Sequence, residues 1–106
     1  MQNKYLNFYL KFSDKFHLKY FTTIRSLKTI KEKNLVVGDV VDILEERNFL
    51  FQAKVISISV MNLNNLSPSD CTILMLDTEE NWQFAADSIR YLCKSNIVAV
   101  VTLCKV

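Results

Sequence analysis

Basic side chains are concentrated in the first third of this 106-residue chain, where they could bind phosphate groups. Residues 1–33 contain eight lysines and arginines against two carboxylates, whereas the remainder contains five against nine, for a net charge of +2. A basic segment around Arg25, Lys28 and Lys31 can attract a polyanion although the whole molecule is nearly neutral. The alternative is that these lysines are spread over a solvated surface and are partly neutralised by neighbours such as Glu32.

Aromatic residues alternate with the basic ones in the same segment. They are Tyr5, Phe8, Tyr9, Phe12, Phe16, Tyr20 and Phe21. Large aromatic side chains mostly pack in cores, but one or two of these rings could stack on a nucleic-acid base.

Gly38 is the only glycine in the chain, and this excludes several classes of enzyme. Dinucleotide-binding turns of the GxGxxG type and phosphate loops of the GxxxxGK type both need glycines for close approach of the backbone to phosphate. The GxSxG nucleophile elbow also needs two glycines and is excluded as well.

Cysteine and histidine spacing does not indicate a metal centre. Cys71, Cys93 and Cys104 are odd in number, no two of them have CxxC spacing, and the single histidine, His17, has no cysteine near it in the sequence. We therefore expect no metal, no cofactor and three thiols in a reducing compartment. No apolar run has the form of a signal peptide or the length of a membrane span, which predicts a cytoplasmic location.

The hydrophobic pattern predicts a single α+β domain over residues 1–106, with many short strands and few helices. The predicted strands are residues 5–11, 21–25, 40–44, 49–61 and 97–103. The predicted helices are a short one capped by Ser13 and Asp14, residues 68–76 and residues 78–93. Residues 26–34 are predicted to be a polar loop. Alternation in the fourth strand places Ser57 and Ser59 on the face of Ala53, with apolar residues on both faces, which is typical of a covered central strand. Gly38 is expected in a turn with a positive φ.

The order of these segments resembles a known family. The resemblance rests on residues 8–12 before a short helix, on Thr22-Thr23-Ile24-Arg25, on Val37-Gly38-Asp39-Val40-Val41, on Ala53-Lys54-Val55 and on Thr78-Glu79-Glu80-Asn81 at a helix start. Together they resemble the ASCH family of the PUA-like superfamily, and within it the small bacterial N(4)-acetylcytidine amidohydrolases. The resemblance implies a pseudo-β-barrel of five to six strands with two to three flanking helices, and a cleft near the first helix-to-strand junction that binds RNA or modified nucleosides.

The resemblance also implies roles for individual residues. In the amidohydrolase branch, Arg25 matches the arginine of the family signature, Thr23 matches the threonine that supplies or polarises the nucleophile, and Glu80 falls at the catalytic glutamate. Leu18 stands where the family has glycine and Tyr20 where it has lysine. A tyrosine can donate a hydrogen bond but carries no positive charge, and the neighbouring Lys19 replaces the lysine only if the helix ends one residue early or a bulge rotates the chain.

Each of these residues also has a purely structural interpretation. Arg25 could be a strand arginine paired with Glu80 or Asp39, and Thr23 could be an ordinary β-branched strand residue. Glu80 could only stabilise the N-terminus of its helix, and Asp39 is expected to shape the turn after Gly38.

Three functional hypotheses follow. The first is a domain that binds RNA, a nucleotide or a modified nucleoside through Tyr20, Arg25, Lys28 and Lys31. The second is an N(4)-acetylcytidine amidohydrolase that uses Thr23, Glu80 and Lys19. The third is an inert module that binds a protein partner through an exposed edge strand or through the apolar residues 73–76.

Overall fold

The computed structural model describes residues 4–8, 18–78 and 81–106 of the chain, and these residues form five strands and three helices. The strands are β1 (Tyr5–Phe8), β2 (Tyr20–Ser26), β3 (Val40–Glu45), β4 (Asn48–Asn62) and β5 (Ile97–Lys105); the helices are α1 (Leu27–Lys33), α2 (Pro68–Thr78) and α3 (Trp82–Cys93). The predicted α+β class is confirmed. The short helix predicted after Ser13 lies outside the described residues, and none of the helices that are described is long and apolar enough to span a membrane.

The strands form one curled sheet in the order β1-β3-β4-β5-β2. β1 is parallel to β3, and the other neighbouring pairs are antiparallel. β1 and β2 therefore form the two edges of the sheet, and the curl brings these edges close together. The Cζ atom of Arg25 on β2 lies 4.6 Å from the centroid of the Phe8 ring on β1. The sheet is thus a half-barrel.

The two faces of the sheet carry separate hydrophobic cores. The inner face, which lines the half-barrel, holds the buried residues Leu6, Phe8, Phe21, Leu35, Val41, Ile43, Ala53, Val55, Val101 and Leu103, with Ile30 of α1 packed against them. The outer face holds a second core at one end, where Val98 and Val100 of β5 pack with Leu74 of α2 and with Ala85, Ala86 and Ile89 of α3. Because Leu74 is fully buried and Ile73 packs on this core, two of residues 73–76 are core residues and do not form an exposed partner surface.

A β-bulge in β4 changes which residues face inward. The register with β5 shifts between Val55 and Ser57, so Ile56 is the extra residue of the bulge. Ala53 and Val55 face the inner core, but Ser57 and Ser59 pair with Thr102 and Val100 on the outer face. The predicted placement of both serines on the face of Ala53 is therefore wrong, because one inserted residue reverses the alternation. The predicted central position of β4 is confirmed.

Residues 27–33 are a helix, not the predicted polar loop. Ser26 caps α1, because its Oγ accepts a hydrogen bond from the Thr29 backbone N–H at 3.1 Å. Asn34 ends the helix in the left-handed conformation, and the basic residues of the last turn, Lys31 and Lys33, suit the negative end of the helix dipole. The helix is too short and too polar to show an apolar face in the sequence, and its end caps and the burial of Ile30 and Leu35 stabilise it instead.

Two tight turns orient the strands around the inner core. Gly38 has a positive φ, as predicted, with a value of 97°. Its N–H donates a hydrogen bond to the Val55 carbonyl at 2.8 Å, which holds the start of β3 against β4. At the β3–β4 hairpin, Glu46 and Arg47 both have positive φ, as a two-residue type I′ turn requires. The Asn7 side chain of β1 accepts a hydrogen bond from the Arg47 N–H at 2.8 Å and so attaches the edge strand to this turn.

Candidate functional site

Thr23 and Arg25 are two residues apart on β2 and therefore lie on the same face of the sheet. Their partners in β5 are Val101 and Ala99, which are both fully buried. Thr23 is only 3% exposed, and its Oγ1 accepts a hydrogen bond from Arg25 Nε at 3.1 Å. The sheet therefore brings two of the predicted site residues into direct contact on its inner face.

The ring of Phe8 is the third member of this site. It is buried at the end of β1, and the Arg25 guanidinium lies over its face in a cation–π contact. In the sequence, Phe8 is one of seven aromatic residues of the basic segment and the first of residues 8–12, and neither feature predicts a contact with Arg25. Its contact with Arg25 depends on the closure of the sheet edges, which no local pattern encodes. The Phe8 ring and the Thr23 hydroxyl together fix the plane of the Arg25 guanidinium, which can recognise phosphate, carboxylate or the edge of a base.

The charge of Arg25 also reaches the C-terminal end of α3. Burial raises the pKa of the Cys93 thiol, and the Coulombic effect of Arg25 acts in the opposite direction. Because the ordinary thiol value is already 9.0, the raised pKa keeps Cys93 neutral at physiological pH. The thiol therefore does not neutralise Arg25.

Tyr20 and Lys19 are not part of this inner-face site. Tyr20 is 56% exposed and pairs with Cys104, so strand alternation places it on the outer face, opposite to Thr23. Lys19 precedes β2, its backbone carbonyl accepts a hydrogen bond from the Lys105 N–H at 2.8 Å, and its side chain is exposed. The residue at the family's lysine position therefore lies on the opposite face of the sheet from Thr23.

The two basic residues predicted on the loop lie on α1. Lys28 and Lys31 are both exposed. The Lys28 Nζ lies 3.8 Å from Glu32 Oε1, one helical turn away, and an exposed pair of this kind is weak. α1 follows β2 directly, so Lys28 and Lys31 lie three and six residues after Arg25 in the sequence and can supplement its positive charge.

Asp39, one of the two carboxylates predicted as partners of Arg25, pairs with a different residue. Asp39 forms its ion pair with Lys4, at 2.8 Å between Oδ2 and Nζ, so the predicted alternative of an Arg25–Asp39 pair is wrong. The same oxygen accepts the Val36 N–H at 2.9 Å, which confirms that Asp39 shapes the turn. Hydrogen bonds from Lys4 and from the Val36 N–H lower the pKa of Asp39. Glu80 lies outside the described residues.

The hydrogen-bond partner of Thr23 bears on whether its hydroxyl can act as a nucleophile. A threonine hydroxyl becomes a nucleophile when a neighbouring base takes its proton. The neighbour of Thr23 Oγ1 is an arginine, which donates hydrogen bonds and does not deprotonate in proteins. Within the described residues, no group of three or more histidines, cysteines or carboxylates is placed to hold a metal ion.

Comparison with known proteins gives a similarity of fold. No family model and no curated protein matches the chain. The crystal structure of protein EF3133 from Enterococcus faecalis V583, of the family DUF984, matches with a TM-score of 0.57 and 13% sequence identity. The match covers 81% of this chain and 60% of that one, so this chain spans less than two thirds of the length of EF3133. At this identity the similarity establishes a shared fold of the half-barrel.

Proposed function

We propose that the site formed by Phe8, Thr23 and Arg25 binds a nucleotide of RNA or a modified nucleoside. The observation that carries the proposal is the fixed guanidinium of Arg25, which lies on the Phe8 ring and donates to the buried Thr23 hydroxyl. An arginine fixed in this way loses little entropy when it binds phosphate or a base edge. Lys28 and Lys31 on the adjacent α1 supply charge for neighbouring phosphates.

We further propose that the chain is an ASCH-like domain of the PUA-like superfamily. The support is the sequence resemblance around Thr23 and Arg25, together with a curled five-stranded sheet flanked by helices. In such a domain the inner-face site and α1 would form the cleft in which the ligand binds.

N(4)-acetylcytidine amidohydrolase activity is the second candidate, favoured by the contact between Thr23 and Arg25. In this alternative the Arg25 charge would stabilise the developing oxyanion, and a base from elsewhere in the chain, such as Glu80, would activate the Thr23 hydroxyl. We rank it below binding because Tyr20 replaces the family lysine and lies on the outer face.

Fluorescence anisotropy of a labelled single-stranded RNA, titrated at two salt concentrations, tests the binding proposal. We expect binding at low salt that weakens as salt rises, since phosphate contacts release counterions. Arg25→Gln removes the guanidinium, and we expect it to reduce the affinity by about tenfold or more, in line with the cost of losing one hydrogen-bonded charge. The same samples, incubated with N(4)-acetylcytidine, show by chromatography whether any amide hydrolysis occurs and whether Thr23→Ala abolishes it.

Arg47→Gly is the matched control for Arg25→Gln, because it removes one arginine from an exposed turn where positive φ suits glycine. It should leave the affinity unchanged. Equal affinities of the Arg25→Gln variant and the native chain, with both folded by circular dichroism, would show that the inner-face site does not bind RNA.

A further inference from the structure

Four residues of the outer face lie side by side across four strands, outside the part that α2 and α3 cover. The registers pair Val40 with Lys54, Lys54 with Cys104, and Cys104 with Tyr20. Directly paired residues share a face of the sheet, so these side chains form one row. Tyr20 at one end is 56% exposed, Val40 at the other is 44% exposed, and Lys54 between them is exposed as well. We call it the tyrosine row.

A row of hydroxyl groups lies next to the tyrosine row. Ser57 pairs with Thr102, and Thr102 pairs with Thr22, on the same outer face. The bulge at Ile56 is what brings Ser57 to this face, since unbroken alternation would turn it inward. Ser57 is exposed and the two threonines are half-buried. The exposed Ser57 hydroxyl offers a donor and an acceptor on the row beside the tyrosine row.

The two rows carry positive charge and no carboxylate. Lys54 is the one lysine or arginine among their seven residues, and the exposed Lys19 directly precedes Tyr20. The nearest carboxylate on the adjoining row is Asp42, whose Oδ1 accepts a hydrogen bond from Gln52 Nε2 at 3.0 Å. An apolar protein partner would bury the Lys54 ammonium in a row that itself contains no carboxylate, at a high cost in desolvation. A flexible polyanion with planar bases suits the same surface.

We propose that the tyrosine row and the hydroxyl row bind single-stranded nucleic acid, with one base stacked on Tyr20 and a phosphate on Lys54. Tyr20 and Lys54 are two strands apart, which is about 10 Å at the usual strand spacing, with Cys104 between them and the hydroxyl row beside this path. The sheet curls around its inner core, so the outer face is convex and the tyrosine ring projects from it. Bases in a duplex are already stacked and paired, whereas those of a single strand are available to the ring. This surface is on the opposite face from Thr23 and Arg25, and the inference does not depend on the inner-face site.

Anisotropy titrations of fluorescein-labelled oligouridine test this inference with Tyr20→Ala, Tyr20→Phe and Lys54→Ala. We expect Tyr20→Ala to weaken binding by about tenfold or more, since it removes the stacking of one base. Tyr20→Phe keeps the ring and should keep the affinity. Lys54→Ala should reduce the slope of log K against log salt by about 0.7, the value for one phosphate contact on a single strand.

Two exposed residues outside the surface provide matched controls. Tyr91→Ala removes a tyrosine of α3 that is 82% exposed, and Lys94→Ala removes an exposed lysine just after the same helix; neither should change the binding. The inference is overturned if Tyr20→Ala binds oligouridine as the native chain does, or if a labelled RNA duplex binds as tightly as the single strand. A parallel titration with oligothymidine identifies RNA or DNA as the tighter ligand, and binding of neither oligonucleotide overturns the inference.

The inner-face and outer-face proposals can be separated by the same titrations. Loss of binding in Arg25→Gln with native affinity in Tyr20→Ala supports the inner-face site alone and overturns the inference about the outer face. Loss of binding in Tyr20→Ala with native affinity in Arg25→Gln overturns the proposal for the inner-face site and supports binding at the outer face.

Discussion

The Asp39 carboxylate shows how one side chain fixes the relation of three segments. It accepts the Val36 N–H within its own turn and pairs with the Lys4 ammonium, which also donates to the Asn34 carbonyl at the end of α1. The sequence indicated the turn, because Gly38 and Asp39 are neighbours and turn chemistry is local. It did not indicate Lys4, which is 35 residues away.

The lowered pKa of Asp39 predicts a loss of stability in acid. Its pKa lies below the ordinary value of 3.8 in the folded chain, so the ionised form stabilises the fold above that pH. This contribution disappears as the pH falls through the lowered pKa. We therefore expect Asp39→Asn to be less stable than the native chain at neutral pH, with the difference narrowing below about pH 4. Thermal unfolding followed by circular dichroism over a pH series measures this difference in stability. In a chain that carries Lys4→Met, the further substitution Asp39→Asn should cost less stability at neutral pH, because the carboxylate has already lost its ion partner. A constant difference between the native chain and Asp39→Asn at every pH would contradict the assignment.

At the scale of elements, the β3–β4 hairpin contains a strained turn that substitution should relieve. Glu46 and Arg47 have φ values of 47° and 69°, a region in which residues other than glycine and asparagine lose about 1 kcal/mol or more. The double substitution Glu46→Asn and Arg47→Gly gives the preferred type I′ sequence. We expect it to raise the free energy of unfolding by about 1 kcal/mol, measured by urea denaturation. Arg47→Ala is the control, because it removes the same charge and keeps the unfavourable φ, so it should give no gain. An equal gain in the control would show that charge, not backbone conformation, is responsible.

Elements were predictable where their signal is local or strongly periodic. Ser67 and Asp70 exchange backbone-to-side-chain hydrogen bonds at the start of α2, where a helix was predicted to begin. The predicted start of the next helix at residue 78 is wrong, because Thr78 is the last residue of α2 and Asn81 caps α3, which begins at Trp82. α1 was missed because it has seven residues and is held by its caps and by tertiary packing. The faces of β4 were misassigned after Ile56, since a bulge arises from pairing with β5 and leaves no mark in the alternation itself.

The candidate site was predictable only where its contacts lie within one strand. Thr23 and Arg25 are two residues apart on one strand, so their contact follows once the strand is recognised. Phe8 joins them only because the edges of the sheet meet, and Tyr20 separates from them because it is an odd number of residues away. Contacts between strands distant in sequence depend on the whole topology, and the order β1-β3-β4-β5-β2 could not be read from any one segment.

At the scale of the whole molecule, several of the described basic residues in the first third make contacts within the fold. Among its described residues, Lys4 is paired with Asp39, Lys28 lies near Glu32, and the Lys33 ammonium lies 3.8 Å from the centroid of the Tyr5 ring. Lys19 and Lys31 remain exposed, and Lys54 adds a third cation from the outer face. Among the described residues, these three exposed lysines can make about three phosphate contacts.

This count predicts the salt dependence of nucleic-acid binding. Three phosphate contacts on a single strand give a slope of log K against log salt of about −2, whereas contacts from all eight basic residues of the first third would give about −5.6. Anisotropy titrations of oligouridine over a series of salt concentrations measure the slope directly. Lys31→Ala should make the slope shallower by about 0.7, while Lys4→Met should leave it unchanged, because Lys4 is committed to Asp39. A slope of about −5.6, or an equal effect of the two substitutions, would mean that the ion pairs within the fold open on binding and that the whole basic segment contacts the strand.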